Sequence, residues 1–391
     1  MAAQPDPPNA ATGPICAEIA GNRLLLIEQG AERLRTLLEM IDEAETSFRI
    51  LFYMFTEDSA GQAVRDRLVS AAQRGVKVTL LIDGFGCTAK PDFFAGLRDA
   101  GGHFCVFHPR YSARYLLRNH QKLVVADDRR AIVGGANISQ SYLEDVSEKR
   151  WRDLWLLVEG PAAHHAGRYF DALFRWTTSH KPRMRDLRRL VTRYTQRRGK
   201  VQWVFSGPMQ RRNPWPERIA RDLQDSNRFD LIAAYFAPPF GMTRRIRHLA
   251  RTGCVRIITA GKTDNNATIA AARFTYSRLL RRGAEIYEYQ PVKLHTKLAV
   301  FDEVVHIGSS NFDFRSLYLN LEVMLRVDDP GFAAQMRGYF EREMADCLRI
   351  TPEIHKARAS LPRRVKWAIS NFLVTSMDYT VTRRLNFGAE K

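Results

Sequence analysis

Apolar and polar positions along this chain fall into the same rhythm twice. An apolar run at 48–55 precedes a mixed stretch of helical period at 62–74, and a second apolar run at 76–82 follows a glycine. The pattern returns at 231–236, 243–251 and 255–259, again with a glycine before the last run. Short apolar runs bounded by turns read as buried strands, and the longer periodic stretches between them as helices. In each half a further helix and strand lead to another apolar run, Leu123-Val124-Val125 and Leu298-Ala299-Val300. Strands alternating with helices predict an α/β fold with a central sheet in each half. The echo keeps a nearly constant offset: 182 residues from Tyr53 to Tyr235, 178 from Gly75 to Gly253 and 175 from His120 to His295. So long a period indicates a duplicated domain rather than a solenoid. It also puts Tyr53 and Tyr235 at equivalent strand ends, as candidate walls of a substrate pocket.

A length of 391 residues exceeds what one core usually supports, which agrees with two domains, expected at 16–180 and 201–350. Residues 1–15, rich in Ala and Pro, read as a disordered tail without the basic-then-apolar order of a secretory signal. The linker at 181–200 sets nine Lys and Arg against Asp186 alone. In the basic tail at 351–391, Val365, Ile369, Phe372, Leu373 and Met377 recur at helical spacing. That tail reads either as an interfacial amphipathic helix with Trp367 at the interface, or as an apolar face docked on the protein's own body.

Charge and cysteine content narrow the setting. A formal net charge of +18 calls for an anionic partner, nucleic acid or an acidic lipid surface. Five scattered cysteines fit a reducing compartment. No apolar stretch approaches the roughly 18 residues of a membrane span. A cytoplasmic location is therefore expected, and a chain of this kind acting on lipid would approach the membrane from the side.

The candidate chemistry lies immediately before the two apolar runs. His120-Gln121-Lys122 is followed by Asp127, and His295-Thr296-Lys297 by Asp302, so each copy reads H-x-K-x4-D. Each is trailed by a small-residue turn and an asparagine, Gly134-Gly135-Ala136-Asn137 and Gly308-Ser309-Ser310-Asn311. Successive strand side chains alternate faces, so the histidine and lysine of each copy project to the same side, as a pair suited to a phosphate. The second copy has one residue fewer between its Asp and the trailing glycine, which leaves either a tighter turn or a displaced Ser309 and Asn311.

This doubled motif resembles the signature of the phospholipase D superfamily. The text around Tyr53-Met54-Phe55 and Leu80-Leu81-Ile82-Asp83-Gly84 is most similar to bacterial cardiolipin synthases. The resemblance implies two duplicated α/β sandwich domains related by a pseudo-twofold axis, sharing a single active site. It implies a catalytic set of His120, Lys122, Asp127, His295, Lys297 and Asp302, in which Asp127 and Asp302 organise the turn after the strand. Asn137, Asn311, Gly135 and Ser309 would then surround the phosphate, and Asp153 and Glu322 would orient the histidines. His120 is expected to attack phosphorus and His295 to serve as acid and base, with no cofactor or metal. The implied reaction transfers a phosphatidyl group from an anionic phospholipid to an alcohol, with the protein peripheral on the inner face of the cell membrane. Hydrolysis to phosphatidic acid and cleavage of nucleic acid are the alternatives. Nucleic acid is the less expected partner, because only the net charge favours it.

Overall fold

The computed structural model describes residues 13–107, 117–209 and 211–376; the expected N-terminal tail and Met377 fall largely or wholly outside them. The duplicated pattern becomes two eight-stranded mixed sheets. In the first, Ser47–Phe52, Lys77–Asp83 and His103–Phe107 run parallel. Leu123–Ala126, Arg130–Gly134, Trp155–Glu159 and Asn22–Ile27 continue the sheet antiparallel. The second repeats this with Arg228–Ala233, Cys254–Ala260 and Glu285–Tyr289 parallel. Its antiparallel strands are Lys297–Val300, Val304–Gly308, Glu322–Asp328 and Val201–Ser206. Seven strands therefore correspond in order. Each sheet adds one strand of its own, Cys16–Ile19 at one edge and Cys347–Ile350 at the opposite edge.

Parallel neighbours require a crossover, and helices supply it. Ser59–Gln73 carries Ala60, Val64, Leu68 and Ala71 on its buried face, and Asp58 caps it by accepting from the Gly61 N–H. Phe240–Thr252 and Asn266–Leu280 do the same work in the second half.

The residue missing from the second motif is absorbed in a hairpin turn. The first hairpin turns through Asp127, Asp128 and Arg129, with Asp127 and Asp128 at φ 52° and 56°. In the second, Phe301 N–H donates to Val304, which leaves the two-residue loop Asp302-Glu303. Beyond the turns the register is the same. Extending Leu123↔Val133 places Lys122 opposite Gly134, and extending Leu298↔Ile307 places Lys297 opposite Gly308. The tighter turn is the correct reading, and Ser309 and Asn311 keep the positions of Gly135 and Asn137.

The two halves are fused by burial of apolar surface, the main driving force for such packing. The largest apolar cluster draws Leu154, Tyr169 and Phe170 from the first half and Trp203, Leu298, Leu321 and Tyr339 from the second. Tyr169 stacks on Phe205 at 3.6 Å, and the buried Trp203 indole donates to Ala162 O at 2.8 Å. Within the 181–200 segment lies a helix, Met184–Tyr194, whose Leu187 and Val191 enter this cluster.

The C-terminal helix, Leu361–Ser376, corrects one expectation. Trp367 is not displayed for an interface. It is 6% exposed and stacks on His355 at 5.2 Å.

Candidate active site

Both H-x-K segments enter the sheet beside the carboxyl ends of the parallel strands, the usual place for sites in open α/β sheets. Just before entering, the chain crosses to the other half. Asn119 bridges to Leu321, and Lys293-Leu294 pair in parallel with Trp151-Arg152. His120 N–H donates to Leu321 O at 3.0 Å, and His295 N–H to Arg152 O at 2.8 Å. Each crossing delivers a histidine to a carboxylate of the opposite half. His120 Nδ1 lies 3.0 Å from both oxygens of Glu322, and His295 Nδ1 lies 2.5 Å from Asp153 Oδ2. The two orienting candidates are used crosswise, which sequence order does not reveal. A carboxylate on Nδ1 fixes the tautomer and presents Nε2 to the cleft.

One cleft of about 300 Å³ receives both histidines, together with Asn137 and Asn311. Lys122 and Lys297 lie beneath it, each ammonium folded back onto the carbonyl of its own histidine. The Asn137 side-chain oxygen accepts from Met54 N–H, which leaves its amide nitrogen as a donor.

Gly135 and Ser309 do not line the cleft, so their expected contact with phosphate is corrected. A Cβ on Gly135 would sit 2.5 Å from an Asp153 oxygen, and Ser309 Oγ donates to Glu322 at 2.5 Å. Both therefore act on the carboxylates, one by leaving room and the other by a hydrogen bond. Gly134 and Gly308 are small because a neighbouring strand passes close by. A Cβ at either would lie 2.3 or 2.2 Å from Leu154 O or Val323 O.

Asp127 and Asp302 are also removed from the chemistry. They occupy the hairpin turns at the far ends of the strands. Asp127 accepts from the backbone of Glu45, Thr46 and Ser47, and Asp302 from Asn227 and Arg228. In both halves the carboxylate pins the loop that starts the adjacent strand.

Tyr53 and Tyr235 both line the cleft, but they are not register equivalents. Ile138 N–H donates to Met54 O, and Phe312 N–H to Tyr235 O, so Tyr235 matches Met54. Tyr53 meets His120 edge-on with ring centres 4.9 Å apart. At His295 that place is taken by Tyr142 and Trp151, at 5.1 and 5.4 Å.

Burial dominates the electrostatics. It lowers His120 to about 4, with Glu322 opposing and Lys122 assisting. It lowers His295 to about 3, assisted by Lys297 and opposed by Asp153. Both imidazoles are thus neutral at pH 7 when no anion is bound, as a nucleophile requires. Burial would raise Asp153, but the Lys297 charge and the hydrogen bond from His295 hold it below the usual carboxylate range. Lys122 falls to about 7 and Lys297 to about 8, again chiefly through burial. Each ammonium is charged below its value and neutral above it. Sulfate, whose charge is constant over this range, should therefore bind most tightly near about pH 6 and at least about tenfold more weakly near about pH 9, since charge-assisted contacts contribute roughly 1.5–3 kcal/mol each. Calorimetric titration against pH checks this, and a flat profile would refute the role of the lysines.

The sequence matches the family described as cardiolipin synthase, PLD-like domain, over residues 37–174 and 219–344, one segment in each half. The chain belongs to that family. It is 30% identical to cardiolipin synthase B of Salmonella typhimurium over 372 residues, covering 91% of this chain and 87% of the relative. It is 28% identical to cardiolipin synthase A of Pseudomonas aeruginosa over 346 residues, covering 86% of this chain and 69% of the relative. The crystal structure of phosphatidylserine synthase from Haemophilus influenzae superposes with a TM-score of 0.70 at 17% identity, covering 93% and 94% of the two chains, which shows the shared fold.

Several groups in and behind this cardiolipin synthase-like cleft have roles that the sequence does not assign. Asp83 is buried and pushed up to about 6 by burial, while it accepts from the N–H groups of Phe85, Gly86 and Asn119. It therefore anchors the residue before His120. Asp313, also raised to about 6 by burial, caps Phe314–Tyr318 through Ser316 N–H. Arg118 and Arg315 add guanidinium groups to the lining. Arg118 lies two residues before His120, a proximity visible in the sequence. Buried Arg33 donates to the carbonyls of Asp153 and Tyr142 from a distant helix, and no local pattern marks it.

Proposed function

We propose that this protein is a cardiolipin synthase-like phosphatidyltransferase working peripherally on the inner face of the cell membrane. It takes a phosphatidyl group from an anionic glycerophospholipid and gives it to an alcohol. The observation that carries this reading is the meeting of both motif histidines at one cleft, each with its lysine bonded to its own carbonyl, in a chain similar to cardiolipin synthases over most of its length.

The His120 Nε2 lone pair attacks phosphorus, and the P–O bond to the headgroup alcohol breaks. The departing oxygen takes a proton from Nε2 of His295, which the incoming phosphodiester anion has made easier to protonate. Neutral His295 then removes the proton from the acceptor hydroxyl. That oxygen attacks phosphorus, and the P–N bond to His120 breaks. Lys122, Lys297 and the two asparagines hold the non-bridging oxygens as charge moves onto them. The aromatic wall of Tyr53, Tyr142, Trp151 and Tyr235 excludes water, and so favours an alcohol as the second nucleophile.

Incubation with phosphatidylglycerol liposomes, followed by separation of lipids, should yield cardiolipin and free glycerol. Phosphatidic acid as the sole product would make the enzyme a hydrolase. Absence of any lipid product would overturn the reading.

A further inference from the structure

The C-terminal helix has two opposed faces. Trp367, Ser370 and Val374 are buried, and this side packs on Asn266–Leu280, where Asn371 donates to Ala271 O. The other side carries Leu361, Val365, Ile369 and Phe372, which are 74, 52, 55 and 64% exposed. At about 100° per residue these four fall within an arc of roughly 80°, diametrically opposite the docked side. Isolated exposed apolar residues are ordinary on any protein, but a stripe of four large ones on a firmly docked helix is not. Arg364 and Lys366 flank the stripe on its two sides.

The helix also adjoins the cleft. Val374 lines it and packs with Ala237 and Ala271. The helix further touches Phe314–Tyr318, whose Arg315 and Ser316 line the cleft. Past Tyr318 opens a groove walled by Arg188, Arg189, Arg193, Arg211 and Arg212. The short helix Phe314–Tyr318 thus touches the C-terminal helix, lends Arg315 and Ser316 to the cleft and gives Tyr318 to the cationic groove. A cleft of about 300 Å³ is near the lower limit for small-molecule sites, so it accommodates headgroup and phosphate while acyl chains extend outside.

We propose that Leu361–Ser376 is a membrane-seating helix, whose exposed stripe enters the interfacial layer of an anionic phospholipid bilayer and sets the cleft mouth against the lipid headgroups. Charge selects this occupant over a second copy of the chain. Pairing two stripes would bring like-charged flanks together on a protein already at +18, whereas an anionic surface attracts them. The inference rests on the phospholipid reading of the active site.

The test uses the full chain with Ile369→Glu and Phe372→Glu combined, alone and with His120→Ala, so that binding is measured without turnover. Cosedimentation with phosphatidylglycerol-containing vesicles should fall at least about tenfold for the paired glutamates, because two apolar side chains lose their burial. It should be unchanged for His120→Ala alone. Turnover of vesicle lipid should fall in parallel, while turnover of a monomeric short-chain phosphatidylglycerol stays at the wild-type rate with an unaltered melting temperature. Undiminished vesicle binding by the glutamate variant, with lipid turnover intact, overturns the seating helix and leaves the enzymatic reading standing. Loss of a dimer by the variant without loss of vesicle binding overturns it in favour of self-association. Vesicle binding that depends on the stripe, in a wild-type protein that forms no lipid product, upholds the seating helix and sinks the enzymatic reading.

Discussion

Alanine at His120 or at His295 should lower phosphatidylglycerol turnover by about 10⁴-fold or more, the scale on which losing a nucleophile or its proton partner acts. The two losses should differ in kind. A p-nitrophenyl phosphodiester has a leaving group that needs no proton. With that substrate His295→Ala should give a burst of p-nitrophenolate and then stall as the covalent adduct, because nothing activates the second alcohol. His120→Ala should give no burst. A burst from His120→Ala and none from His295→Ala would reverse the assignment, and undiminished turnover in either variant would refute a shared site.

The crossed carboxylates give the second large effect. Asp153→Asn and Glu322→Gln should each reduce turnover by about 10²- to 10⁴-fold, through loss of the tautomer and of support for the imidazolium. The pattern should follow space rather than sequence. Asp153 lies in the first half but holds His295, so Asp153→Asn should reproduce the burst-and-stall behaviour of His295→Ala. Glu322→Gln should reproduce His120→Ala. An unaltered melting curve separates these effects from misfolding. The opposite pairing of phenotypes would show that each half orients its own histidine.

Much of this arrangement was legible because it is local. The strand and helix rhythm, the two H-x-K pairs and the trailing asparagines all follow from short-range spacing, and seven strands of each sheet take corresponding places. What was not legible depends on which chain segments meet in space. Sequence order cannot show that Asn119 lies beside Leu321, so the crossing of Asp153 and Glu322 was hidden. Alignment by residue type matched Tyr53 with Tyr235, whereas backbone hydrogen bonds match Tyr235 with Met54. Gly135 and Ser309 suggested room for a phosphate, yet they border the carboxylates. The helical period of the C-terminal segment was visible, but which side would dock was not. Trp367 took the inner side because its large ring finds His355, and the aliphatic stripe remained outside.

The crossed carboxylates also constrain how the two copies could have drifted apart. A duplicated domain is ordinarily free to lose its own site once its twin suffices. Here a change that discards His120 strands Glu322 in the other copy, and a change that discards Asp153 disarms a histidine it does not share a copy with. Neither copy holds a complete set to fall back on, so damage to one is inherited by both.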